Sequence, residues 1–180
     1  MPSMKILLIA GGWSSEREVS LTGARGMQEA LLKRGHAVTF FDLLENFDEL
    51  LETARQHDFA LINLHGSPGE DGLVQAMLEK AGCPYQGSGP SGSFLALNKA
   101  AAKQIFRMAG LPTADWEFLP VRPAEGWEPR LPWPLFVKTT TGGSSLRLGR
   151  ATNRQELDAL MDEIFAAGEG VLIEPQLPGK

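Results

Sequence analysis

The segment VKTTTGGSSLRLGR, residues 137–150, places a lysine at the end of an apolar run and follows it with a loop of glycine and hydroxyl residues. Exposed amides in a glycine-rich turn form a concave site for anions, hydroxyls add donors, and a lysine supplies a point charge for phosphate. Lys138 and the loop 139–145 therefore have the composition of a phosphate-binding site. The pattern Gly-x-x-x-x-Gly-Lys-Ser/Thr is absent, which excludes a P-loop of that type. A flexible hairpin connection remains the alternative, because long turns use the same small polar residues.

Two polar loops in the first half of the chain also have residues suited to a ligand site. The loop 11–18 reads GGWSSERE and contains Glu16, and the loop 64–72 reads LHGSPGEDG and contains His65. Both follow apolar runs that are typical of strands, and the carboxyl ends of parallel strands lie at one edge of a sheet. We therefore expect Glu16 and His65 to face one crevice. Two alternatives stay open: the first loop is simply solvated, and Asp71 of the second caps the helix that follows.

The spacing of apolar residues indicates the elements that hold these two loops. Short continuous apolar runs are typical of strands buried on both faces, and apolar positions three and four apart are typical of helices. Strands and helices alternate along the first half, which predicts an α/β parallel sheet with helices packed on it. The strands are predicted at 5–10, 37–41 and 59–64, and the helices around 21–32, 47–54 and 73–81.

The second half has a different composition and a different order of elements. The Gly- and Ser-rich stretch 87–92 marks the change, and we place a domain boundary near 93–97. Proline-rich, turn-rich sequence occupies much of 112–134, which leaves little room for helix there. Three further strands are predicted at 135–138, 146–150 and 171–173.

Two helices are predicted in this second half. The first covers 99–109 and is expected to turn Ile105 and Met108 towards a core. The second begins at Thr152, where Gln155 completes a capping-box pattern ahead of an apolar stripe.

Composition and charge limit the function classes. Of the 180 residues 43% are hydrophobic and 22% are charged, and the net charge is -5 with acidic and basic residues interspersed. No basic stripe for nucleic acid and no polybasic membrane patch is present. Cys83 is the single cysteine, so no internal disulfide forms, and no apolar run approaches the roughly 18 residues of a membrane span. We expect a cytoplasmic protein without a nucleic-acid or membrane partner.

Taken together and in order, the loops resemble those of the D-alanine–D-alanine ligases of the ATP-grasp superfamily. The resemblance implies a Rossmann-like (pre-ATP-grasp) parallel-sheet domain over 1–96, which binds substrate, followed by a small α+β ATP-grasp central domain over 97–180 with a lid loop at 139–145. The family's carboxy-terminal catalytic domain is expected to begin about where the chain stops, and so to be absent. The motifs that carry the resemblance are Gly11-Gly12 through Ser20, Leu64-His65-Gly66 with Gly69-Glu70-Asp71-Gly72, Tyr85 to Gly89, Asn98-Lys99, Val137-Lys138 with Gly143-Ser144-Ser145, and Leu172-Ile173-Glu174.

The resemblance also implies a role for each motif. Glu16 holds the ammonium group of the first D-alanine, His65 lies nearby on the substrate side, and Ser144 reaches substrate, so that Glu16 and Ser144 form the catalytic set. The residues that contact ATP are Lys99 and Lys138 at the phosphates, Gly143, Ser144 and Ser145 over the transferred phosphoryl group, and Glu174, Gln176 and Leu177 around the adenine. None of these residues is assigned to a metal.

The implied activity is that of an ATP-dependent ligase of peptidoglycan precursor synthesis. ATP phosphorylates one D-alanine, and the amine of a second attacks the acylphosphate. Mg2+ is an expected cofactor beside ATP, with its ligands in the family's carboxy-terminal domain, so the 180 residues alone are expected to be inactive. A homodimer through the first domain is also implied. The alternatives are another ATP-grasp carboxylate–amine ligase and a non-catalytic nucleotide-binding module.

The chain departs from the family pattern at three places near the expected ATP site. Thr139–Gly142 stands where the family usually has a proline, a basic residue and an acid. Leu146-Arg147 replaces the usual Val-Gly, and Pro175 stands where a lysine is usual. These departures bear on the lid and on the nucleotide contacts.

Overall fold

The computed structural model describes residues 2–142 and 147–179, and the chain divides into two compact units, Met1–Phe94 and Leu95–Lys180. The first unit contains a parallel sheet and the second an antiparallel sheet, each with helices. The predicted α/β class, with a parallel-sheet unit followed by a smaller α+β unit, is confirmed.

The first unit is built on a three-stranded parallel sheet with the order β2-β1-β3. β1 is the central strand, and all its residues after Lys5 are buried because helices cover both faces. Leu7 and Ile9 pack in one cluster, whereas Leu8 and Ala10 pack in another with Ala24. The elements are β1 Lys5–Ala10, α1 Arg17–Lys33, β2 Ala37–Asp42, α2 Leu43–Asn46, a 3-10 turn Phe47–Glu49, α3 Leu50–Ala54, β3 Phe59–Ile62 and α4 Leu73–Ala81.

The second unit is built on a four-stranded antiparallel sheet with the order β4-β7-β5-β6. One face of this sheet packs on α7: Val137 and Ile173 share a buried cluster with Met161 of that helix. Residues of opposite parity on β5 and β7 point to the other face. The elements are α5 Pro90–Leu97, which spans the division between the units, α6 Lys99–Met108, β4 Glu117–Leu119, β5 Leu135–Thr139, β6 Gly149–Ala151, α7 Arg154–Ala166 and β7 Val171–Pro175.

Two predictions about the helices of the second half are wrong. Ile105 and Met108 are 42% and 78% exposed, and the residue of α6 that is buried is Lys103. The capping box also lies one residue later than predicted. Asn153, not Thr152, caps α7 by accepting from the backbone N–H of Glu156 at 3.0 Å.

Three elements were not predicted: helix α2, which precedes the helix predicted around 47–54, helix α5 and strand β4. Helix α5 begins at Pro90, inside the Gly- and Ser-rich stretch 87–92 whose composition is typical of a loop, and proline suits the first turn of a helix. Strand β4 lies inside the proline-rich segment and pairs with β7, which supplies its hydrogen bonds. Among the described residues, no helix combines the length and the apolar character that crossing a bilayer requires.

Candidate functional site

Glu174 lies at the centre of a charged cluster in the second unit. Its side chain is 14% exposed, and its carboxylate pairs with Lys103, Nζ to Oε1 2.5 Å, and with Lys138 through Oε2. Strand register explains the second pair: Glu174 lies opposite Phe136, so the side chain of Lys138, two residues on, is on the same face of the sheet. This is the face opposite to α7.

The Glu174 carboxylate is held in its charged form. Burial alone would raise the pKa of this group, but the hydrogen bonds from Lys103 and Lys138 and their positive charges outweigh burial and lower the pKa. A buried carboxylate between two ammonium groups is fully paired, which explains why the fold accepts it.

Lys99 joins this cluster from the start of α6. Asn98 caps the helix by accepting from the N–H of Ala101 at 3.0 Å, and the Lys99 ammonium donates to the carbonyl of Gly142. Burial lowers the pKa of Lys99, and repulsion from Lys138 lowers it further. The charges of Glu169 and Glu174 act in the opposite direction but do not cancel this lowering of the Lys99 pKa.

The threonines that follow Lys138 are used within the unit. Thr139 and Thr140 are buried, with the Thr139 hydroxyl accepting from the N–H of Gly142 at 3.0 Å and the Thr140 hydroxyl donating to the carbonyl of Gly170 at 2.8 Å. Thr139 is the last residue of β5. These two hydroxyls hold the strand end and its turn together, although the composition of the segment favoured ligand binding.

The other predicted ATP contacts lie just beyond β7 or outside the described residues, and their role stays a prediction. The side chain of Gln176 accepts from Arg150 Nε at 2.7 Å, and Leu177 is exposed just beyond the end of β7. The predicted contacts at Gly143, Ser144 and Ser145 lie outside the described residues.

The β1–α1 loop of the first unit is fixed at its base by an ion pair. Arg17 donates from Nη1 and Nη2 to the two carboxylate oxygens of Asp42, at 2.7 and 2.6 Å, which lowers the pKa of Asp42. Gly11 has a φ of +77°, and a Cβ there would lie 2.5 Å from Arg17 Nη1. Glycine is therefore required at that position both for its backbone conformation and for space.

Ser20 connects this loop with the end of β3. Its hydroxyl accepts from the N–H of Gly11 at 2.8 Å and donates to the carbonyl of Asn63, while the Asn63 amide returns a bond to the Ser20 carbonyl at 2.7 Å. A Cβ on Gly66 would lie 3.5 Å from Ser14 Cβ. The two predicted loops are thus neighbours at the carboxyl edge of the parallel sheet.

Glu16 and His65 are both half-buried in these neighbouring loops. The N-cap residue of α4 is Gly72, so Asp71 is not the cap itself, but its carboxylate accepts from the N–H of Leu73, the first residue of that helix, at 3.0 Å. It also accepts from the Ser67 hydroxyl at 2.5 Å. Within residues 2–142 and 147–179, no three His, Cys, Asp or Glu side chains are grouped to hold a metal ion.

Lys103 is the member of the charged cluster that sequence reasoning missed. Its spacing from Lys99 carried a signal, because residues four apart lie on the same face of a helix. The signal was hidden by the expectation that apolar residues of α6 would face the core. Only the position of Glu174 shows why a lysine is buried there.

Comparison with known proteins agrees with the motifs. The family model described as D-ala D-ala ligase C-terminus matches residues 104–180. A D-alanine–D-alanine ligase of Desulfovibrio desulfuricans is 75% identical over 177 residues, which are 98% of this chain and 58% of that protein. The crystal structure of the D-alanine–D-alanine ligase from Bacillus anthracis matches with a TM-score of 0.86 and 36% identity over 98% of this chain and 59% of its own.

A structure of the Bacillus anthracis enzyme complexed with ATP matches with a TM-score of 0.84 and 34% identity, over 98% of this chain and 60% of its own. The chain spans less than two thirds of the length of each of these proteins. The resemblance that the motifs predicted is confirmed by sequence and by fold. Over 98% of its length, this chain is similar in sequence and in fold to D-alanine–D-alanine ligases.

Proposed function

We propose that this chain supplies the ATP-binding part and the first D-alanine site of an ATP-dependent D-alanine–D-alanine ligase. In the proposed reaction the terminal phosphoryl group of ATP passes to the carboxylate of one D-alanine, and ADP leaves. The amine of a second D-alanine then attacks the acylphosphate, and phosphate leaves with the electron pair of the broken bond. The reaction consumes ATP and serves peptidoglycan precursor synthesis, which fits a cytoplasmic location.

The lysine cluster is the observation that carries this proposal. Lys99 donates to the carbonyl of Gly142, the charge of Lys138 acts on Lys99, and the Glu174 carboxylate is shared by Lys138 and Lys103. Positive charge therefore exceeds negative charge among these side chains, which fits a polyphosphate. Cations fixed before the reaction stabilise the negative charge that develops during phosphoryl transfer. Glu174, Gln176 and Leu177 would line the adenine side.

Glu16 and His65 serve the amino-acid substrate in this proposal. Their loops are neighbours at the carboxyl edge of the parallel sheet, where open α/β sheets bind ligands. The Glu16 carboxylate would bind the ammonium group of the first D-alanine, and His65 would lie on the same side. Gly143, Ser144 and Ser145 would close over the phosphoryl group and exclude water that hydrolyses the acylphosphate.

Mg2+ belongs to the proposed reaction because it neutralises phosphate charge when it is bound. We assign none of the described residues to it and expect its ligands in the part of the family that this chain does not span. The homodimer through the first unit stays a prediction.

The test is a coupled assay for ADP release with ATP, Mg2+ and D-alanine. The full-length protein that the reading frame encodes is compared with the 180-residue chain alone. We expect D-alanine-dependent ADP release and D-alanyl-D-alanine from the full-length protein, and no turnover from the 180 residues. ADP release that follows another amino or hydroxy acid would point to a different carboxylate–amine ligase. Nucleotide affinity without turnover by the full-length protein would indicate a binding module.

A further inference from the structure

Lys103 is a buried cation whose contacts are all made within the protein. Its side chain is 9% exposed, and Nζ pairs with Glu174, donates to the Thr113 hydroxyl at 2.7 Å and lies 5.3 Å from the centre of the Trp116 ring. A lysine so enclosed does not reach a ligand itself. Whatever it contributes to binding passes through Glu174.

The two lysines that flank Glu174 differ in exposure. Lys138 is 26% exposed, so its ammonium has an open side, whereas Lys103 is closed on all sides. Together Lys103, Glu174 and Lys138 carry a net charge of plus one. Without Lys103, the Glu174 carboxylate would form an ion pair with Lys138 alone, and the net charge of that pair would be zero.

Resting on the proposed function, we infer that Lys103 is a positioning residue for nucleotide binding, which shares the Glu174 carboxylate and so leaves the Lys138 ammonium available to a phosphate. Lys103 also fixes the carboxylate through Oε1, so that Oε2 meets Lys138 in one orientation. Nothing in this role requires Lys103 to touch ATP.

A double-mutant cycle separates this role from simple packing. ATP affinity is measured by calorimetry, in the presence of Mg2+, on the full-length protein with Lys103→Met, Glu174→Gln and both changes. In the wild-type background Lys103→Met is expected to weaken ATP binding about tenfold. This fold-change corresponds to a coupling energy near the middle of the range usually found for residues in contact. In the Glu174→Gln background the same change is expected to alter ATP affinity by less than about twofold, because no carboxylate remains to neutralise Lys138.

Further variants serve as controls. Thr113→Val removes one hydrogen bond of Lys103 and leaves the ion pair with Glu174, so ATP affinity should stay within about twofold of wild type. Lys103→Arg keeps the positive charge and should retain most of the affinity. If Lys103→Met does not fold, Lys103→Gln replaces it in the cycle, since it keeps a donor for Glu174 but removes the charge. D-alanine affinity is measured in parallel and should not change.

Two results would overturn the inference. An equal loss of ATP affinity in both backgrounds would mean that Lys103 acts without Glu174, as a packing residue does. A wild-type full-length protein that binds no ATP would refute the proposed function and this inference with it. The first result, obtained while the wild-type protein binds ATP, would refute the inference alone.

Discussion

Arg147 offers a direct measurement of backbone strain beside the proposed phosphate site. Among residues 2–142 and 147–179 it is the only non-glycine residue with a positive φ, +52°, and the family that this chain resembles usually has glycine there. An L-residue in the left-handed region costs about 1–2 kcal/mol. The perturbation is a pair of variants, Arg147→Gly and Arg147→Ala, because both remove the side chain and only glycine relieves the strain.

The structure sets the expected magnitudes for this pair. The guanidinium of Arg147 is 3.8 Å from Glu169, with side chains 38% and 26% exposed, so either variant loses an ion pair worth at most about 1 kcal/mol. Glycine also gives the unfolded chain more freedom, which offsets about 0.4–1 kcal/mol of the relief. Arg147→Gly should therefore have a free energy of unfolding about 1 kcal/mol larger than that of Arg147→Ala.

Urea unfolding followed by tryptophan fluorescence is the assay. Three of the four tryptophans, Trp116, Trp127 and Trp133, lie in the second unit, so the signal reports mainly on the unit that contains Arg147. An Arg147→Asn variant is expected to lie between the other two, because asparagine tolerates the left-handed region better than alanine. If Arg147→Ala equals or exceeds Arg147→Gly in stability, residue 147 is not strained and the reasoning fails.

Three other predictions follow from the structure. Glu16→Gln in the full-length protein should raise the KM for the first D-alanine by roughly tenfold or more, since a hydrogen bond to a charged group contributes about 1.5–3 kcal/mol. The KM for ATP should stay nearly unchanged. An equal rise in both KM values would contradict the assignment of Glu16 to D-alanine. Because the pKa of Glu174 is lowered in the folded state, its contribution to stability is complete above the unfolded value of about 4.3 and is lost as pH falls through the folded pKa. Glu174→Gln should therefore make the free energy of unfolding depend less on pH on the acid side. An unchanged slope would disprove this. Gly149→Ala places a methyl group against Leu160 and should lower the free energy of unfolding by about 1–3 kcal/mol in urea. The control Gly26→Ala, at a helical site with open space, should raise it by about 0.5–1 kcal/mol. A Gly149→Ala variant as stable as wild type would show that Leu160 moves freely.

The strands of both sheets were predictable because their signal is local. A run such as KILLIA has no polar face, so it fits a strand that helices cover on both sides, and the glycines after it mark its end. The neighbouring loops that hold Glu16 and His65 followed from topology, since parallel strands deliver their ends to one edge. In the second half, the same reading found β5 and β7 but missed β4, a strand of three residues that depends on its partner for hydrogen bonds.

The site residues also divide into those that local sequence could indicate and those that depend on distant partners. Lys99 and Lys138 were predicted as phosphate contacts from residue type and from the motifs around them, and that role stays a prediction. The buried threonines after Lys138 and the exposed apolar residues of α6 were misjudged, because composition does not say which side of an element meets a core. Burial is set by what packs against the element, and that partner is distant in sequence.

The sequence by itself determined the order of the elements, apart from α2, α5 and β4, and which family the motifs resemble. Only the tertiary structure decided that Glu174 accepts two lysines, because the pairing of β5 with β7 and the placement of α6 over that face bring together three residues from distant parts of the chain. The charge left available to a ligand is a sum over neighbours in space. The spacing of residues in the sequence shows which charges are neighbours within one helix or strand. It does not show which charges on different elements become neighbours.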